Sequence, residues 1–266
     1  MEVRGGTDSS AGSVGFERVL IGIDDTAASL VAAAQAEVVR AEHAEVVLVA
    51  VAERYLAAHA GAAATHAGDA VAARMLDELE GAKALVHADD IVVASGRLTD
   101  VLLRECAARG GSLIVVGARP HGRLTAAVFG GHDVDALHDA ACSVLIARPG
   151  WGPRLPDRIV VAVDGSPEAR AAEDIGRGLG AKLGVEVVPV IGLDEHVDPE
   201  LLRTEREDAV LEPGPLADAV VAASSPSTLL VVGDDRHGRR ADLAERVVWH
   251  ARCSVLVVRR DSATEA

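Results

Sequence analysis

Apolar runs of four to seven residues recur along the chain, separated by longer stretches in which alanine and leucine repeat at helical spacing. Runs of that length predict buried strands, and their alternation with helical stretches predicts βαβ units around a parallel sheet. In the first 148 residues, strands are expected at Val19–Ile23, Val46–Ala52, Ile91–Val93, Leu113–Val116 and Ser143–Ala147. Helices are expected from Thr26 to His43, through the alanine-rich region ending near Lys83, from Thr99 to Ala108, and near Val134–Ala140. The later part predicts strands at Ile159–Val163, Val187–Ile191, Leu229–Val232 and Ser254–Val258, with a weak one near Val210.

These two series are copies of each other. RVLIGIDDT (Arg18–Thr26) matches RIVVAVDGS (Arg158–Ser166), LIVVGARPHGR (Leu113–Arg123) matches LLVVGDDRHGR (Leu229–Arg239), and CSVLIAR (Cys142–Arg148) matches CSVLVVR (Cys253–Arg259). The matched blocks lie 140, 116 and 111 residues apart in the same order, so the second copy is shortened in its middle and again after the glycine turn. The segment PGWGPRLPD (149–157) reads as a linker, because its prolines and glycines suit no regular element. Polar, glycine-rich residues 1–15 are expected to form a disordered tail, and 261–266 a second short tail. Domain 1 is placed at 16–148 and domain 2 at 158–260.

Composition narrows the class. Hydrophobic residues make up 49% of the 266 and aromatics only 2%, so the cores must be built from Val, Leu, Ile and Ala, as in parallel sheets under alanine-rich helices. A net charge of −15 without any Lys/Arg run argues against a nucleic-acid or anionic-membrane binder. Three cysteines without metal-ligand spacing, no apolar stretch long enough to span a membrane and no signal peptide place the protein in a cytoplasm. Alanine richness, with two lysines against many arginines, suggests a GC-rich bacterial genome.

Several motifs resemble the universal stress protein family: VAVDGSPEA (Val161–Ala169), GRLTDVLL (Gly96–Leu103) with GPLADAVV (Gly214–Val221), and LAERVVWHARCSVLVVRR (Leu243–Arg260). The resemblance covers both copies. It implies an α/β fold of two Rossmann-like (adenine-nucleotide alpha hydrolase-like) domains, each an open parallel five-stranded sheet of order 3-2-1-4-5 flanked by helices. It also implies pairing of the last strands across a dimer axis. Here that would make an intramolecular pseudo-dimer covering two apolar edge strands, with a homodimer of chains left open. Many members bind ATP at the carboxyl ends of strands 1 and 4, through a loop reading Gly, two residues, Gly, nine residues, Gly, then Ser or Thr. Glycines let backbone N–H groups approach phosphates there, beside a helix N-terminus.

That loop is eroded in both copies. In the first, Gly117 and Gly130 hold their places and Gly122 lies nearby, but Pro120 takes the second glycine position and Gly131 the hydroxyl position. Asp24 and Val51 match the family's adenine-side positions. In the second, Asp164 and Gly233 remain, but Arg236 replaces a glycine, Ala241 and Asp242 replace the closing pair, and Asp234 and Asp235 stand where phosphates would lie. Arg236, Arg239 and Arg240 are the expected partners of those carboxylates, leaving domain 2 inactive toward nucleotide.

Other features have plainer readings. His121 and His237 read as solvated loop histidines rather than phosphate or pH contacts. Asp24 and Asp25 read as a helix cap with Thr26 rather than a Mg²⁺ site. Cys142 and Cys253 read as buried apolar residues, and GRGLG (Gly176–Gly180) ends a helix rather than following a strand. No GxSxG, HExxH or Walker lysine is present. Two functional readings follow: a non-catalytic stress-response protein with degenerate nucleotide loops, or a slowly hydrolysing ATP switch acting through domain 1.

Overall fold

A computed structural model describes residues 14–24, 26–51, 77, 79–118, 140–151, 154–193, 206–234 and 241–260. Strand β1 (Phe16–Ile23) leads through helix α1 (Ala27–Val39) into β2 (Arg40–Val51). The helix expected to reach His43 stops at Val39, because Arg40 pairs with Phe16 and residues 40–45 join β2 instead. Gly15, at φ +123°, lets the backbone close on Val39 and Ala41, where a Cβ would come within 2.7 Å of backbone atoms. After helical residues 79–86, the chain forms β3 (Asp90–Ala94), α2 (Leu98–Arg109), β4 (Leu113–Gly117) and β5 (Ser143–Ala147). The helix expected near 134–140 falls outside the described residues, apart from Ala140, which is not helical.

The second series runs β6 (Arg158–Ala162), α3 (Pro167–Leu183), β7 (Glu186–Leu193), β8 (Val210–Pro213), α4 (Leu216–Ala222), β9 (Thr228–Gly233), α5 (Ala241–His250) and β10 (Ser254–Val258). Helix α3 has strong local signals at both ends. Ser166 accepts from the Ala169 N–H at 2.9 Å, Pro167 takes the first turn, and Gly184 closes the helix in the left-handed conformation. The glycines of GRGLG lie within this helix. A Cβ at Gly176 would meet Val161 at 2.7 Å and one at Gly180 would meet Val187 at 2.2 Å, so they let α3 sit close on β6 and β7.

Among the described residues, ten strands form one sheet in the order β3-β2-β1-β4-β5-β10-β9-β6-β7-β8. Neighbouring strands pair in parallel except at the middle, where β5 and β10 run antiparallel. The carboxyl ends of β1–β5 therefore point toward one edge of the sheet and those of β6–β10 toward the other. On the face covered by α1 and α3, one continuous core crosses the middle, joining Ile21, Leu145 and Ala147 to Ile159, Leu256 and Val258. On the opposite face two separate cores form, one beneath α2 and one beneath α4 and α5. The whole is built from Val, Leu, Ile and Ala, with Phe16 and Trp151 as buried aromatics.

Polar groups at the β5–β10 seam are paired across it. The Arg148 N–H donates to Ser254 Oγ at 2.9 Å, and the Arg259 N–H donates to Ser143 Oγ at 3.1 Å. Ser254 in turn donates to Oε1 of the buried Gln35 from α1 at 2.7 Å. Gln35 Nε2 donates to the carbonyls of Arg148 and Trp151, both at 2.8 Å. The segment read as a linker is thus packed at its start: Trp151 is buried and its carbonyl engaged. Lys182 of α3 donates to the carbonyls of Val38, in the last turn of α1, and of Arg40, just beyond it, which ties the two helices together.

Candidate functional site

The sheet order reverses direction at β1 and β4 in one half and at β6 and β9 in the other, the places where open α/β sheets hold ligands. Asp24, Val51 and Gly117 come together there, at the carboxyl ends of the neighbouring strands β1, β2 and β4. Asp164 and Gly233 take matching places after β6 and at the end of β9. Gly122, Gly130, Gly131, Pro120, His121, Arg236, His237, Arg239 and Arg240 lie outside the described residues, as do Asp25 and Asp235.

The glycines have a structural duty that the motif alone does not reveal. A Cβ on Gly117 would lie 2.2 Å from the carbonyl oxygen of Ala28 and 2.4 Å from its carbon. One on Gly233 would lie 2.4 Å from both the same atoms of Glu168, the residue at the equivalent place in α3. Each strand end therefore meets the backbone of the first helix turn, a contact no side chain permits. Val51 has its side chain buried in the core beneath α2, so it offers no side-chain surface to a ligand.

Asp24 organises the turn after β1. Its Oδ1 accepts from the Thr26 N–H at 3.2 Å and from the Thr26 hydroxyl. Thr26 consequently does not cap α1 with its side chain, contrary to the sequence expectation, because its hydroxyl turns back to Asp24. Ser29 donates to the carbonyl of Asp24 at 2.8 Å, giving the carbonyl a partner as well. Asp164 accepts from the Ser166 N–H at 2.9 Å, and there Ser166 does cap its helix.

Asp234 departs most from expectation. Its side chain is fully buried, and it is paired with Arg259, while the arginines expected as its partners lie outside the described residues. Arg259 Nη2 reaches Asp234 Oδ2 at 2.9 Å and Nε reaches it at 3.2 Å, while Nη1 donates to the carbonyl of Ala140 across the seam. The backbone explains the pairing: the Asp234 N–H is bonded to the carbonyl of Val258 at 3.0 Å, so the side chains of Asp234 and Arg259 leave adjacent strand ends. In the first half Ala118 stands in the place of Asp234, its N–H bonded to the Ala147 carbonyl at 2.8 Å. Arg148 there donates from Nη1 to the Cys253 carbonyl at 3.1 Å and from Nη2 to the Val248 carbonyl at 2.7 Å, while Nε finds no partner. Burial pushes the pKa of this guanidinium down. Sequence reading passed over both arginines, although Ser and Arg flank the apolar run in both copies of CSVL.

The three cysteines are buried, Cys142 and Cys253 just ahead of β5 and β10, and Cys106 of α2 lies against Cys142. Among the described residues no cluster of three or more His, Cys, Asp or Glu is arranged to hold a metal, and no helix is long and apolar enough to cross a membrane.

Comparison with known proteins gives the lineage. A universal stress protein from Archaeoglobus fulgidus superposes with a TM-score of 0.67 at 18% identity, covering 92% of this chain and 97% of that one. A functionally unknown protein from Pseudomonas aeruginosa gives 0.62 at 17% identity, with 92% and 93% covered. The cytoplasmic domain of a prokaryotic cation chloride cotransporter gives 0.50 at 12% identity, with 90% and 94% covered. Likenesses at such identities speak for the fold alone. No curated protein matches the sequence. The profile of the universal stress protein family, however, matches residues 15–148, half of the chain. With its α/β fold and parallel-rich sheet, the chain belongs to the universal stress protein family.

Proposed function

We propose that the chain is a tandem universal stress protein, a non-catalytic stress-response protein whose two units form an intramolecular pseudo-dimer and whose second unit takes no nucleotide. The observation that carries this reading is the buried Asp234–Arg259 pair. Its carboxylate lies directly after Gly233, where a phosphate would need donors, and the Arg259 guanidinium is engaged with Asp234 and the Ala140 carbonyl. A polyphosphate entering there would meet a buried negative charge, and drawing Arg259 away would break a buried ion pair. The tandem reading is supported by the reciprocal bonds of Arg148 with Ser254 and Arg259 with Ser143 about the antiparallel β5–β10 pairing. A non-catalytic role is supported by the duties of Asp24 and Asp164, whose carboxylates hold the turns that start α1 and α3. The test is phosphate release from MgATP by nucleotide-stripped protein. Release no faster than in buffer is expected, and sustained turnover would sink the proposal.

A second reading, ATP binding in the first unit, is favoured by Ala118. No carboxylate follows Gly117, and Asp24 stands beside it on the neighbouring strand end. Saturable binding at one site per chain, weakened at least tenfold by Asp24→Ala, would establish it. Gly117→Glu is unsuited to this test, because any Cβ at that position collides with the Ala28 backbone.

A further inference from the structure

The first half holds a contact that neither reading uses. Cys106, in the last turn of α2, and Cys142, just ahead of β5, place their sulfur atoms 2.8 Å apart. A disulfide bond is about 2.05 Å long, so closure needs a sulfur movement of less than about 1 Å. At the place of Cys106 the second half has Ser224, whose hydroxyl cannot form such a bond with Cys253. We propose that Cys106 and Cys142 are an oxidative modification site, a dithiol that a peroxide-class oxidant converts to an intrachain disulfide.

Two features support the pair beyond distance. Gly111 leaves room beside the thiol, since a Cβ there would fall 2.9 Å from Cys106 Sγ, and Gly110 ends α2 in the left-handed conformation. A helix end of this kind opens locally at low cost, which admits a small oxidant to a buried sulfur. The environment also divides the roles. The Cys142 thiol against Cys106 holds the latter below the ordinary thiol range, whereas the same contact and burial push Cys142 far up. With its place in the last turn of α2, beside the left-handed Gly110, Cys106 is the sulfur that the oxidant meets first.

The step balances without a further reactant. Cys106 thiolate attacks one peroxide oxygen, the O–O bond breaks, and the leaving hydroxide takes up a proton to become water. Cys142 sulfur then attacks the resulting sulfenic sulfur, forming the S–S bond and displacing hydroxide, which leaves as water with the Cys142 proton. Two thiols lose two electrons and two protons, and one hydrogen peroxide becomes two waters. Because the attacking thiol is already in contact, the second step outruns further oxidation of Cys106. The bond would close the chain over the segment that contains Gly117, Gly122, Gly130 and Gly131.

The full-length folded protein is treated with hydrogen peroxide, quenched, unfolded in denaturant and titrated for free thiols, with peptide mapping of the product. The expected result is a fall from three thiols to one, with Cys106 and Cys142 in a linked peptide pair and Cys253 modified at least tenfold more slowly. Reduction by dithiothreitol should restore all three. Cys253→Ser should still lose two thiols, and Cys142→Ser should form no intrachain bond. Retention of three thiols, sulfinic acid at Cys106 in place of the bond, or linkage through Cys253 or between chains would each overturn the proposal. The wild-type count decides even where a variant does not fold, and it is independent of whether ATP binds.

Discussion

The carboxyl ends of β4 and β9 share a glycine and differ in the residue after it. Gly117 and Gly233 both lie against helix backbone, at equivalent places in α1 and α3. Ala118 then leaves Arg148 held by two carbonyls, with Nε unpartnered, whereas Asp234 gives Arg259 a buried carboxylate. The half that has the carboxylate holds a buried ion pair at its strand end. The half that lacks it keeps an uncharged strand end next to Asp24. A glycine after a buried strand is thus poor testimony for phosphate binding when packing alone requires it, and the neighbouring residue is the better witness.

The comparison breaks most readily at Asp234. Asp234→Ala removes the buried carboxylate that Arg259 faces and should cost about 3–5 kcal/mol in urea unfolding. A cost near zero would mean that the pair closes nothing. Next come the glycines. Gly117→Ala and Gly233→Ala should each cost about 1–3 kcal/mol by overpacking, and by similar amounts despite their different neighbours. A neutral Gly233→Ala would show that its helix contact is dispensable. Ala118→Asp sharpens the contrast from the other side. It offers Arg148 the carboxylate that Arg259 already has, and a gain of about 1 kcal/mol is expected in the same assay.

The smallest effect lies at the outer parts of the two halves. Asp90 beside Arg109 and Asp208 beside Arg177 both have pKa values held down by the guanidinium they face. A carboxylate depressed in the folded state stabilises fully above the ordinary aspartate range, and that contribution is lost as pH falls through the folded value. Asp90→Asn and Asp208→Asn should therefore flatten the acid limb of stability slightly at low salt, and not in molar salt. An unchanged acid limb at low salt would remove these pairs from the account.

Much of the fold was legible because apolar runs with turn residues at their ends state strand positions directly. Each strand expected in the first copy is found at its place, although β2 starts six residues earlier than expected, at Arg40 rather than Val46. The end of α1 was not legible, since Arg40 leaves the helix for a partner, Phe16, twenty-four residues earlier in the chain. At the candidate site, sequence placed Asp24 and the two glycines at their strand ends but did not reveal their packing and turn-holding duties. The collision of Gly117 with Ala28, and the meeting of Asp234 with Arg259, depend on distances between segments far apart in sequence. The 2.8 Å contact of Cys106 with Cys142 was hidden for the same reason, because no spacing rule links a helix residue to a strand start 36 positions on.

The central claim, that the second unit is closed to nucleotide by its own ion pair, is tested most directly by counting sites. Calorimetric titration of MgATP into nucleotide-stripped protein should give no more than one site per chain, with nothing attributable to the second unit. Two sites per chain, one of them lost on Asp164→Ala, would contradict it.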